Sequence, residues 1–464
     1  MPGNQLPLTS PQRRRLLKYF AATGLLATVE RNAALAQNAP DYKALVCIHL
    51  AGGNDGENTL IRHDNAGYQN YTAIRSPASA INIPQAQLKP IQPRSVTTPF
   101  GFHPACAPLQ TLFNQNKLAV VANMGMLMQP STKPGLEAQG ARRPANLFSH
   151  SDQELALHSG DGTGFTRVGW GGRMADKLDA ANPGTLFPVL VSTSGMSVFT
   201  SGRTSIPLAV PLFPGFTLYG SGNPAGLDGF QYDVLRDAAL REILGQKLTN
   251  TYDLAARLLS EEGLAASSVV QPILQNTTSI VRSFFANLGS DIARELQTIA
   301  LLMEGRAQTQ MKRQVFYATQ GGYDTHGSQA GQHHNLLSDL SLAIEAFQGA
   351  LAALGIANNV TSFTLSDFGR AFKPAGNGGT DHGWGNYAFV IGGAVRGGDF
   401  YGTVPIQALD GPNDLGKDGR WIPTTSLEQY GATLTRWLGI ADADLPYVFP
   451  NIGAFANTNM GFMN

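Results

Sequence analysis

The sequence predicts an α/β fold, with a mostly parallel central sheet, helices on both faces and a mainly helical insertion. Three observations point to it. Ala44–Leu50 (ALVCIHL) is a continuous apolar run, the pattern of a central strand buried on both faces. Gln314–Thr319 and Val360–Leu365 are short runs rich in β-branched and aromatic residues. Between them, His334–Leu354 repeats Leu336, Leu337, Leu340, Leu342, Ile344, Phe347, Leu351 and Leu354 at helical spacing. Strand, helix and strand in that order make a right-handed unit with parallel strands, so their carboxyl ends share one edge of a sheet.

Taken in order, the chain opens on a targeting segment over residues 1–36. Arg13-Arg14-Arg15-Leu16-Leu17-Lys18 is a paired-arginine motif, followed by a mildly apolar stretch and by Ala34-Leu35-Ala36 as a small-residue cleavage site. This is the pattern of a twin-arginine signal. It implies the twin-arginine export machinery as a partner, export of the folded chain and a periplasmic or secreted address. Removal leaves roughly 430 residues (37–464), enough for one large α/β domain. No later apolar run is expected to span a membrane. Lys and Arg number 33 against 33 Asp and Glu, so charge gives no case for a nucleic acid or an anionic membrane. The two cysteines, Cys47 and Cys106, are too few for a disulfide scaffold or a cysteine metal site.

The first strand breaks into Gly52-Gly53-Asn54-Asp55-Gly56, placing Asp55 at its carboxyl end. Pro104–Phe113 reads as a helix, and Leu118–Ala122 and Leu186–Ser192 read as strands. Ser149 or Ser151 is placed to cap a helix running to Leu157, with Asp152 and Glu154 in its first turn. Capping alone is the commoner role of a serine there, and it is also where an attacking hydroxyl would be favoured, with His150 beside it. From about 195 to 312 the chain becomes Pro- and Gly-rich and then helical, without Asp-His clusters; this is the insertion, a segment able to cover the site. The core resumes with GGYDTHG (Asp324, His326), SDFGR (Asp367, Arg370) and GTDHGWG (Asp381, His382), each at the end of an apolar run. Phe389–Ala394 reads as a last strand and Ser426–Leu438 as a closing helix. His49, His333 and His334 read as core, solvated or capping residues rather than ligands.

GGNDG, Ser149-His150, GGYDTH, SDFGR and GTDHGWG, in this order after a paired-arginine segment, resemble the bacterial domain-of-unknown-function 1501 family. That family is considered a relative of the alkaline phosphatase and sulfatase superfamily. The resemblance implies a metal centre at the strand ends, with Asp55, Asp324, His326, Asp367, Asp381 and His382 as ligands and Ser149 as nucleophile. Phe368 stands where that superfamily has a histidine ligand. Arg370 is expected to pair with Asp367 or bind a substrate anion.

Three carboxylates with imidazoles suit one or two divalent ions, zinc, manganese or magnesium. The leading expectation is therefore an exported metal-dependent hydrolase of phosphate or sulfate esters. The competing one is a catalytically degenerate metal-binding module of the same fold that binds an envelope polymer or a protein partner. Serine-hydrolase chemistry lacks its G-x-S-x-G elbow.

Overall fold

The computed structural model describes residues 42–464 except 184, 186, 211, 213–230 and 247–249. The targeting segment and most of Pro207–Gly229 lie outside the described residues.

Strand β1 (Lys43–Leu50) is buried along nearly its whole length. A small antiparallel sheet follows, formed by β2 (Leu60–Arg62), β3 (Lys89–Ile91) and β4 (Phe100–Phe102). The main sheet continues with β5 (Leu118–Gly125), β6 (Leu190–Ser192), β7 (Leu208–Ala209), β8 (Arg313–Gln320) and β9 (Val360–Ser366). A hairpin, β10 (Arg370–Ala375) and β11 (Gly379–His382), stands off it. The last strands are β12 (Asn386–Gly392), β13 (Asp399–Tyr401) and β14 (Thr425–Ser426).

The main sheet has the order β13-β5-β12-β9-β1-β8-β6-β7, with β14 also on β5. Every pairing is parallel except those of β12, which runs against both β5 and β9. The mostly parallel α/β expectation therefore holds, with two refinements. The expected unit from Gln314 to Leu365 is formed by β8 and β9, yet β1 lies between them and pairs with both. The segment 195–312 is also less purely helical than expected, since β7 extends the edge of the main sheet through β6.

The connecting helix Gln329–Ala353 begins five residues before its predicted start at His334 and buries Leu337, Leu340, Ile344, Phe347 and Leu351. It is long and apolar enough by composition to cross a membrane, contrary to expectation, but just over half of that stretch is buried in the fold. Helix Asp291–Glu304 from the insertion packs on it and on β8. On the opposite face, Trp170 and Met174 of helix Trp170–Leu178 and Tyr430 and Leu434 of helix Leu427–Leu438 join the same core. Cys47 and Cys106 are buried and free.

One buried acid makes stability depend on pH. Glu57 accepts from Trp421 Nε1 at 2.8 Å and from Gln407. Burial first, then the Asp55 carboxylate, push it up to about 7 against the pull of Arg75. A carboxyl whose folded pKa lies above its unfolded value contributes stability below about pH 4.5, and that contribution is lost as pH rises through about 7. Glu57→Gln is expected to remove a decline on the order of 2–3 kcal/mol between pH 5 and pH 8. Urea midpoints of both proteins at the two pH values check this, and equal slopes with pH would contradict it.

Candidate metal centre

Four side chains from three segments converge beyond the carboxyl ends of β8 and β9. Asp324 and His326 lie in the loop after β8. His382 ends β11, and the hairpin register sets it directly opposite Arg370. His150 is the first residue of helix His150–Ser159. The His150 and His382 Nε2 atoms lie 3.0 Å apart, and those of His326 and His382 lie 2.7 Å apart. Asp324 Oδ1 is 3.0 Å from His326 Nε2, 3.2 Å from His150 Nε2 and 3.5 Å from His382 Nε2. Donors of a tetrahedral site with bonds of about 2.0–2.1 Å are separated by about 3.3–3.4 Å. The observed spacings bracket that value.

The far side of each ring decides which nitrogens carry protons. His382 Nδ1 faces the Phe148 carbonyl at 2.6 Å, an acceptor, so this nitrogen is the donor. His150 Nδ1 faces Asp367 Oδ2 at 2.8 Å. Burial would raise the Asp367 carboxyl, but the bonds from His150 and His49 hold it well below the usual range, so it is ionised and His150 Nδ1 bears the proton. His326 Nδ1 faces Asp381 Oδ1 at 3.3 Å. In their neutral forms all three rings then point bare Nε2 lone pairs at one another and at a carboxylate oxygen. Lone pairs at such distances repel unless a shared proton or a metal ion sits among them, and the Asp367 carboxylate, which draws the His150 imidazole toward its protonated form, favours either cation; outer partners that fix ring orientation are the usual support of imidazole metal ligands.

The local chain is bent to make this possible. Phe148 has φ 74°, a left-handed conformation that strains a bulky residue, and its carbonyl is the one that holds His382. Phe368 lies beneath the cluster, its ring 4.7 Å from that of His150 and 4.8 Å from that of His382. A Cβ on Gly53 would come within 2.6 Å of Phe368, and Gly53 itself has φ +81°, so glycine is required there. The Asp324 and His326 side chains are 47% and 44% exposed, which leaves the cluster open to solvent on that side.

The expected ligands separate into two groups. Asp324, His326 and His382 come together, and His150, expected as a catalytic residue beside Ser149, is their fourth member. Asp55 is instead enclosed in an ion pair. It receives Arg75 Nη1 at 2.7 Å and Nη2 at 3.1 Å, Gln329 Nε2 at 2.5 Å and the Glu57 amide at 3.1 Å. Burial pushes its carboxyl up, but the Arg75 guanidinium more than offsets this and holds it low. Asp367 and Asp381 touch the outer nitrogens of His150 and His326 rather than joining the convergent group. Arg370 pairs with Asp324 instead of Asp367, through Nη1 and Nη2 at 3.0 Å each, and its buried head is not directed at solvent as an anion site requires. Ser149 occupies the cap position without a side-chain cap bond; its hydroxyl donates to Asp152 at 2.6 Å.

Other partners escaped the sequence. Arg75 closes a helix on which nothing marks a charge partner. His49 was expected to be a bonded core residue and is one, through Asp367 at 3.0 Å. His333, expected to be solvated or capping, is buried and bonded to Asn54 at 2.9 Å. The Phe148 carbonyl has no side-chain signature at all.

Residues 250–418 match the model of a family described as "Protein of unknown function (DUF1501)". No curated protein matches the chain. Solved structures similar to it include the lipoteichoic acid synthase LtaP from Listeria monocytogenes, at TM-score 0.35 and 7% identity over 92% of this chain and 81% of that one. The PsFucS1 sulfatase from Pseudoalteromonas sp. matches at TM-score 0.35 and 10% identity, over 93% and 77%. BT1596, a 2-O GAG sulfatase, matches at TM-score 0.31 and 10% identity, over 86% and 71%.

Proposed function

We propose that this chain, which belongs to the DUF1501 family through residues 250–418, is an exported metal-dependent hydrolase of phosphoric or sulfuric esters. The observation that carries the reading is the set of four donor atoms, three imidazole nitrogens and one carboxylate oxygen, separated by 2.7–3.5 Å and half open to solvent. Three nitrogens out of four suit zinc or manganese and do not suit magnesium, which prefers an all-oxygen shell. When bound, such an ion supplies Lewis-acid activation of water or of an ester oxygen. The chain's own part is to hold and orient. Asp367 and the Phe148 carbonyl keep the outer ring protons of His150 and His382 in place, Asp381 lies beside the outer nitrogen of His326, Arg370 balances the charge of Asp324, and Phe368 shields the inner side from water. The paired arginines at 13–15 support export.

A second reading rests on Ser149 and Arg370, whose bonds to Asp152 and Asp324 leave neither aimed at a substrate. In it the chain is a metal-holding module that binds an envelope polymer or a protein partner. Elemental analysis of protein purified after export, with aryl-phosphate and aryl-sulfate assays of wild type and Asp324→Ala, separates the two. Hydrolysis should require metal and fall at least ~100-fold in the variant, as expected when a metal donor is lost. Bound metal with equal background turnover in both proteins selects the module, and absence of metal in replete medium overturns both.

A further inference from the structure

Helix His150–Ser159 carries His150, Glu154 and His158 at four-residue intervals, which places all three along one face. Only the first belongs to the cluster described above. Glu154 and His158 form a separate group with His49 of β1, in which one donor atom of each residue lies within 4.8 Å of the others.

His158 is the telling member. It is 1% exposed, and its Nε2 is buried without a hydrogen-bond partner. Its Nδ1 is 3.6 Å from Glu154 Oε1, and its ring meets that of His49 edge-on at 4.5 Å. A buried polar atom left unpaired costs about 1–3 kcal/mol. Neutral imidazole keeps one lone pair, and no hydrogen-bond donor meets His158 Nε2.

His49 is prepared in the same way as the rings of the first cluster. Its Nε2 faces the ionised Asp367 Oδ1 at 3.0 Å and so carries the proton, leaving the Nδ1 lone pair to accept from the Tyr317 hydroxyl at 3.1 Å. Two imidazoles and one glutamate are a donor set that fits zinc, with the remaining positions open to water or a neighbouring oxygen.

We propose that His49, Glu154 and His158 form a second zinc-class cation site, joined to the first through the two oxygens of Asp367. The site goes beyond the proposed hydrolysis and stands on its own donors. The test is zinc stoichiometry of the full chain after chelator stripping, zinc titration and desalting. Wild type should retain two equivalents, and Glu154→Gln and His158→Ala one each, as should His382→Ala through loss of the first site. Glu154 is partly exposed, so its variant folds even where removal of the buried His158 ring does not. Two equivalents in Glu154→Gln, or a single wild-type equivalent that only His382→Ala removes, overturns the second site. Retention of all zinc in His382→Ala overturns the first centre instead.

Discussion

Arg75→Met is expected to lower stability by about 3–5 kcal/mol, because it leaves the Asp55 carboxylate charged and alone in the interior. Both side chains are fully buried. The guanidinium also donates to Asn58 Oδ1 at 2.7 Å, the Phe372 carbonyl at 2.8 Å and the Ala371 carbonyl at 3.0 Å, so three further acceptors lose a bond, of which Asn58 Oδ1 keeps the Tyr71 hydroxyl. Asp55→Asn keeps the shape but leaves the buried Arg75 guanidinium without its carboxylate, and its penalty should be comparable. The double variant should be less destabilised than the sum of the two, by the coupling energy of a contacting charge pair. Urea denaturation in the presence of chelator measures all three without a contribution from bound metal. The same Asp55→Asn protein is expected to keep its metal. Loss of metal from it would restore Asp55 to the ligand role that its position after β1 suggests.

His382→Ala is the second large effect, expected to weaken zinc binding by more than ~100-fold. Removing an outer partner of a ligand costs about 10–100-fold, and here a donor itself is lost. His382 contacts both other imidazoles, and its Nδ1 satisfies the strained Phe148 carbonyl, so the remaining three donors also lose their spacing. The ring is only partly buried, and the fold should survive its removal. Competition with a chromophoric chelator reads the affinity, and a change below about tenfold would show that the four atoms do not act as one site.

The fold was legible where apolar runs are continuous or periodic. ALVCIHL, QVFYAT and VTSFTL each became strands of the main sheet, and the repeat from Leu336 to Leu351 became the helix between two of them. Their order in space was not legible, because neighbours in sequence need not be neighbours in a sheet, and β1 takes the place between β8 and β9. Nor does the run beginning at Phe389 reveal that β12 is antiparallel to its neighbours.

The site divides in the same way. A carboxylate or imidazole in a glycine-rich loop after a strand marks a position at the functional edge, which is why Asp324, His326 and His382 could be named. Residue type cannot say whether a carboxylate there meets a cation or an arginine. Asp55 and Asp324 look alike in sequence. They differ because Arg75 closes around both oxygens of the first, whereas both nitrogens of Arg370 meet a single oxygen of the second, Oδ1, which also faces the three imidazoles.

The donors are distributed across positions 150, 324, 326 and 382, and the hairpin bearing the last begins only after β9 is complete. A chain synthesised only as far as β9 lacks the last of the four donors. On the proposed metal reading, ion capture follows synthesis and docking of that hairpin, and the compartment in which the polypeptide reaches its final shape sets which ion is on offer.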